Sequence, residues 1–145
     1  MQTNEDQLVK LVPLLEQVLV RVGAQRTPTG AQLRLTNLQL GVLSSLARND
    51  QCTLSELATD RMVVVPEISR LVKTMVTKGY VEKITDRTDK RISRLSLTPR
   101  GRAIMQAVYK EAIELLSKVL EKMSPDEQNA LINGLSAFVR ATNQF

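Results

Sequence analysis

Eleven Lys or Arg residues but only four Asp or Glu lie between Arg61 and Arg102, a local net charge of +7. The rest of the 145-residue chain carries nine basic and eleven acidic residues, so the overall charge of +5 is concentrated in one stretch. The chemistry open to such a stretch is the gripping of a polyanion, on a scaffold that is otherwise close to neutral. Two groups of side chains stand out within it. Ser69, Arg70 and Lys73 are spaced to share one flank of a helix, and Arg87, Lys90, Arg91 and Arg94 gather around the charged run DRTDKR (86–91). An Arg can take a guanine edge or a phosphate with two donors, whereas Lys suits a phosphate as a point charge. The competing reading is a solvated basic face with no partner.

Other chemistries lack their residues. The chain has no His, which removes imidazole acid–base catalysis, Ser-His and Cys-His nucleophiles and most zinc sites. Its six glycines are scattered and build no phosphate-cradling loop. No enzymatic activity, cofactor or metal is expected. With two Tyr, two Phe and no Trp, the chain also lacks the aromatic platforms on which single-strand readers stack bases. One cysteine, Cys52, cannot form an intrachain disulfide and suits a reducing compartment. It precedes a helix start, where a thiol pKa can be lowered, but its ordinary role is that of a small packing residue. The N-terminus MQTNEDQ is no signal sequence, and no apolar run approaches the roughly 20 residues of a membrane span. The expectation is a cytoplasmic protein that does not enter a membrane.

The elements that must position the basic groups are punctuated clearly. Apolar residues from Leu8 to Val22 recur at three- and four-residue steps, an amphipathic helix that Pro13 should start or kink. GAQRTPTGAQ, Gly23 to Gln32, has the composition of a loop. Thr36 with Gln39 and Thr53 with Glu56 each form a capping-box pattern. The first opens a helix that buries Leu40, Val42, Leu43 and Leu46, and the second a short helix burying Leu54, Leu57 and Ala58. Pro66 suits the first position of a further helix, with Ile68, Leu71, Val72, Met75 and Val76 inward and Gly79 as its left-handed terminator. The apolar period then falls to two. Tyr80–Ile84 and Ile92–Leu97 read as a hairpin with 86–91 as its basic tip. Thr98-Pro99 begins a long helix reaching about Met123, and Ser124-Pro125-Asp126-Glu127 begins the last, with Leu131, Leu135, Phe138 and Val139 on its apolar face.

This order is that of a winged helix-turn-helix: a mainly α fold with a small β-hairpin wing. In such motifs the second helix enters the major groove, and its N-terminal part reaches base edges. The chain resembles the MarR (multiple antibiotic resistance regulator) family of transcriptional regulators. The resemblance runs through LTNLQLGVLSSL (35–46), TLSELA (53–58), PEISRLVKTMVTKGYVEK (66–83) and DRTDKRISRLSLTPRG (86–101). Its most specific pieces are the Asp-x-Arg of Asp89 and Arg91 and the Leu-Thr-x-x-Gly of Leu97 to Gly101.

The resemblance implies a single domain over 1–145, with a DNA-binding region at about 36–98 and N- and C-terminal dimerisation helices at 1–30 and 99–145. It implies a homodimer that binds a pseudo-palindromic site in double-stranded DNA, acting most often as a repressor and releasing DNA on binding a small amphipathic, often phenolic, effector. The apolar surface of the first and last two helices exceeds what one small domain buries, which accords with a dimer. By the same match Val64, Val65, Pro66, Ser69, Arg70 and Lys73 fall at the DNA-reading helix. In the wing, Asp89 orients Arg91, and Arg91 with Arg87, Lys90 and Arg94 faces the DNA. Arg21, Arg26 and Arg34 could meet an anionic effector, although such arginines are more often surface contacts.

One departure from the family pattern lies at the turn, Arg61-Met62-Val63-Val64-Val65. Relatives commonly have Gly at the Met62 position and small polar or basic residues at Val64 and Val65. Met62 is poorly suited to a turn needing positive φ, and Val65 cannot cap the following helix. Val64 and Val65 could instead meet thymine methyl groups. The alternative function is a winged-helix module that binds another protein, since fold does not fix function.

Overall fold

The computed structural model describes residues 4–23 and 27–143. It has seven helices and two strands among them: α1 (Asn4–Gly23), α2 (Pro28–Gln32), α3 (Asn37–Arg48), α4 (Leu54–Arg61), α5 (Val65–Thr77), β1 (Val81–Thr85), β2 (Ser93–Leu97), α6 (Pro99–Leu120) and α7 (Pro125–Thr142). The chain divides into two compact units, Met1–Val108 and Tyr109–Phe145.

Helix starts follow from side chains that satisfy the free N–H groups of the first turn. In α3 the Gln39 amide donates to Thr36 Oγ1 at 3.1 Å, and the Thr36 amide donates to Gln39 Oε1 at 2.9 Å. Thr53 with Glu56 and Ser124 with Glu127 close the same reciprocal pair at α4 and α7. Removing such a cap costs about 1 kcal/mol. α2 corrects the loop expected over 23–32. Thr27 caps it by accepting from the Gly30 amide at 3.2 Å, and Pro28 stands at its start, the same Thr-Pro device as at Thr98-Pro99. α1 continues through Pro13 rather than starting there.

The core of the first unit gathers Val42, Leu43 and Leu46 of α3 with Leu57 and Ala58 of α4. Ile68, Val72 and Met75 of α5 join them, with Leu35, Cys52, Tyr80, Val81, Leu95, Leu97 and Ile104. Each large aliphatic side chain buried in this way stabilises the fold by roughly 1.5–3 kcal/mol. Val76, expected inside, is exposed. The two strands pair antiparallel from Val81↔Leu97 to Thr85↔Ser93. The alternation expected of the second strand fails: Ile92 is exposed, and Leu95, Ser96 and Leu97 are all buried. The reason is that β2 has neighbours on both edges. The Leu95 amide donates to the Cys52 carbonyl at 2.8 Å, and Ser96 donates its hydroxyl to Asp50.

The Leu97-Thr98-x-x-Gly101 sequence has a direct physical explanation. The Thr98 hydroxyl donates to the Gly79 carbonyl at 2.6 Å and accepts from the Gly101 amide at 3.0 Å, capping α6 while tying it to the end of α5. A Cβ at Gly101 would fall on the Tyr80 carbonyl oxygen, so only glycine allows this approach. Gly79 itself takes φ +75°, as a left-handed terminator should.

In the second unit, α6 ends at Leu120 rather than Met123 because the Gln128 side-chain amide donates to the carbonyls of Leu120 and Met123, at 2.8 and 3.1 Å. No described residue of α7 is buried. No helix among the described residues is long and apolar enough to cross a membrane.

Candidate nucleic-acid interface

Every candidate DNA contact lies in the first unit, on two structures built differently. The first is α5. Its buried residues Ile68, Val72 and Met75 place Pro66, Arg70 and Lys73 on the opposite, exposed side, with Ser69 on the flank. The side chains of Ser69, Arg70 and Lys73 make no hydrogen bond or ion pair among the described residues, so their donors are available. The Thr74 and Thr77 hydroxyls instead bond back to the carbonyls of Arg70 and Lys73.

The turn that aims α5 carries the departure foreseen from sequence. Met62 ends α4 with φ 53° and ψ 41°, its amide donating to the Thr59 carbonyl at 3.1 Å. A left-handed conformation costs an L-residue roughly 1–2 kcal/mol, which a glycine avoids. The side chain gains nothing by packing, being 86% exposed. Val63 turns inward against the core, while Val64 and Val65 are exposed. α5 begins one residue earlier than expected, so Val64 rather than Val65 is its N-cap, and no side chain caps it.

The second structure is the hairpin tip. Asp86, absent from the candidates drawn from sequence, is its organiser. Its Oδ1 accepts from the Thr88 amide at 2.8 Å, the Thr88 hydroxyl at 2.6 Å and the Asp89 amide at 3.1 Å. Its Oδ2 accepts from Arg94 Nε at 2.8 Å. The Thr88 hydroxyl bond, then the Arg94 pair and the two backbone donors, hold the Asp86 carboxyl well below the usual carboxylate range. A sequence signal existed: Asp two residues before Thr in a turn is the Asx-turn pattern.

Arg94 also donates Nη1 to the Gln51 carbonyl at 3.1 Å, so its guanidinium braces the hairpin against the loop before α4. Asp89 and Arg91 do meet, as the family pattern implied. Asp89 Oδ1 accepts from the Arg91 amide at 2.9 Å and stands 3.4 Å from its Nε, yet the Arg91 side chain stays 92% exposed. An exposed pair of this kind orients more than it stabilises. Arg87 and Lys90 are exposed at the tip, with no polar partner for their side chains among the described residues.

The other candidates are more scattered. Arg21 is exposed in the last turn of α1, Arg34 is exposed at φ 53°, and Arg26 lies outside the described residues. Cys52 is buried within the core, and burial, followed by the nearby Glu56, raises its thiol pKa. The helix start beside it therefore does not activate it. The described residues contain no cluster of His, Cys, Asp or Glu able to hold a metal ion.

A family model described as "MarR family" matches residues 35–92. An uncharacterized HTH-type transcriptional regulator of Bacillus subtilis, YfiV, is 25% identical over 128 residues, covering 88% of this chain and 80% of its own. The solved structure of a MarR family protein from Bacillus stearothermophilus superposes with a TM-score of 0.86 at 21% identity, covering 98% of this chain and 99% of that one. MepR of S. aureus, solved as a mutant bound to an oligodeoxyribonucleotide, matches with a TM-score of 0.65 at 20% identity, over 89% of this chain and 95% of that one.

Proposed function

We propose that this chain is a winged helix-turn-helix transcriptional regulator of the MarR family that binds a pseudo-palindromic operator in double-stranded DNA as a homodimer and represses transcription. The observation that carries the reading is the state of the charges. Arg70 and Lys73 on α5, and Arg87 and Lys90 at the hairpin tip, have no ion pair among the described residues, whereas the tip's own acids are spent on holding its shape. Cations left free beside acids already committed form a surface for phosphates.

In this reading α5 lies in the major groove. Ser69 and Arg70 contact bases or phosphate, Lys73 contacts phosphate, and Pro66 with Val64 and Val65 faces base edges, where the valines meet thymine methyl groups. Arg87, Lys90 and Arg91 approach the backbone or minor groove, with Asp89 orienting Arg91. Arg94, bound to Asp86, holds the wing at the angle from which it reaches DNA. The homodimer is supported by apolar side chains left exposed on α1, α6 and α7, among them Leu19, Ile113, Leu135 and Phe138. A small phenolic or amphipathic effector would release DNA by preferring a dimer whose two α5 helices are wrongly spaced for successive major grooves.

Selection from a pool of random duplexes at several salt concentrations tests this. The expected result is an inverted repeat with half-sites about one helical turn apart, and affinity that falls steeply with salt. Val64→Ser with Val65→Ser should weaken the preference at A·T positions. A second reading is favoured by one observation, the exposed apolar trio Met62, Val64 and Val65, which would also suit a protein partner. Weak retention of DNA without sequence preference or salt dependence would support that reading and sink the first.

A further inference from the structure

We propose that Glu67 reads sequence: its carboxylate accepts a hydrogen bond from the exocyclic amine of a cytosine in the major groove, setting one position in each half-site. The proposal rests on the reading of α5 as the recognition helix.

Among the described residues, four helices carry Gln or Glu three residues after the N-cap. In α3, α4 and α7 that side chain turns back to accept from the N-cap amide, at 2.9, 2.8 and 2.8 Å. In α5 the same slot holds Glu67, but its N-cap is Val64, which has no polar side chain to complete the reciprocal pair. The Glu67 carboxylate forms no hydrogen bond or ion pair among the described residues. It does not pair even with Arg70, one turn along, although opposite charges at that spacing attract on a helix surface. Both heads are therefore free, and Glu67 is exposed.

Its position gives this freedom meaning. Residues in the first turn of a recognition helix are those that reach base edges. The neighbours of Glu67 there, Val64, Val65 and Pro66, offer no side-chain donor or acceptor. A carboxylate facing DNA repels phosphate on every sequence alike, unless a donor meets it. The donors on base edges of the major groove are the cytosine N4 and adenine N6 amines. Adenine is matched best by an amide, which also donates to N7, and a carboxylate cannot donate. Cytosine offers the amine alone. Among valine methyl groups, a carboxylate left without that partner would be desolvated and uncompensated, which penalises the wrong base.

The test compares binding-site selection by the wild-type protein, E67A and E67Q, with melting curves to verify folding. Wild type is expected to select a C·G pair at one position of each half-site, the two positions related by the two-fold axis. E67A should lose about ten-fold or more of the discrimination at that position. It should also bind unrelated duplexes more tightly, one repulsive charge having gone. E67Q, which keeps the size of the side chain, should shift the preference at that position towards adenine. The same motif from all three proteins, with only the melting temperature altered, would mean that Glu67 serves the α5 dipole alone and would overturn the proposal. If wild type selects no motif, the recognition-helix reading falls and takes this one with it.

Discussion

Met62 is held left-handed at the end of α4 with its side chain in solvent, so the strain in its backbone is offset by no packing of its own. Met62→Gly should therefore stabilise the protein by about 1 kcal/mol, the left-handed penalty less the extra freedom glycine has when unfolded. Urea denaturation measures this, and an unchanged or lower midpoint would show that the turn does not strain Met62. Two residues along, Val64 leaves α5 without a side-chain cap. Strain and a missing cap meet where α5 is aimed, so this turn gives up stability at the place where its side chains face outward. Cys52 shows the opposite arrangement: a nucleophilic residue type is enclosed among apolar side chains and pushed away from the thiolate.

Beyond its ladder, the hairpin is tied together at its tip by one carboxylate. Asp86 joins the tip to β2 and, through Arg94, to the loop before α4. Its folded-state pKa is depressed, so the stability it lends is fully present above the unfolded value of about 4 and is lost as the pH falls below that value, through the folded one. On acidification the amide shifts of Thr88 and Asp89 should accordingly stay constant through the ordinary Asp range and move only below it. D86N should abolish that late transition. A wild-type midpoint near 4 would contradict the arrangement of donors around Asp86. Loss of the tip should also weaken DNA binding while the helical core, which does not include it, stays folded.

For the molecule as a whole, the two ends of the chain pose the same problem. α1 exposes Leu8, Val12, Leu19 and Val22, and α7 exposes Leu131, Ile132, Leu135, Phe138 and Val139, a stripe at helical spacing. Such stripes in a folded chain call for a partner surface. Replacing Leu135 and Phe138 together by Glu should convert the proposed homodimer to a monomer in analytical ultracentrifugation, with its helix content retained. Affinity for a two-half-site duplex should then fall to the level of unrelated DNA, because one reading helix cannot engage two grooves. A double variant that stays dimeric would place the dimer contact elsewhere.

Local chemistry was legible in the sequence wherever a few neighbouring residues settle the outcome. Thr36, Thr53 and Ser124 with their partners three residues on, Pro66, Gly79 and Thr98-Pro99 all mark element ends where expected to within a residue or two. The positive φ suspected at Met62 came from the family pattern instead, in which relatives commonly carry Gly at that position. α2 was missed because Thr27-Pro28 sits among Gly and Thr residues that resemble a loop, although the cap and proline were there to see. The remainder depended on contacts between residues distant in sequence. Ser96 is buried because Asp50, 46 residues away, accepts its hydroxyl, and no periodicity within β2 could announce that. Asp86 rather than Asp89 organises the tip because Arg94 and Gln51 arrive from two other segments. Glu67 is free because its carboxylate neither turns back to the Val64 amide, as its counterparts in the other helices do to theirs, nor meets Arg70. The sequence alone determined which basic side chains this protein has and which helix and hairpin carry them. The tertiary structure decided which of those charges remain unpaired, since whether a charge is spent or free depends on what the fold brings within hydrogen-bond distance of it.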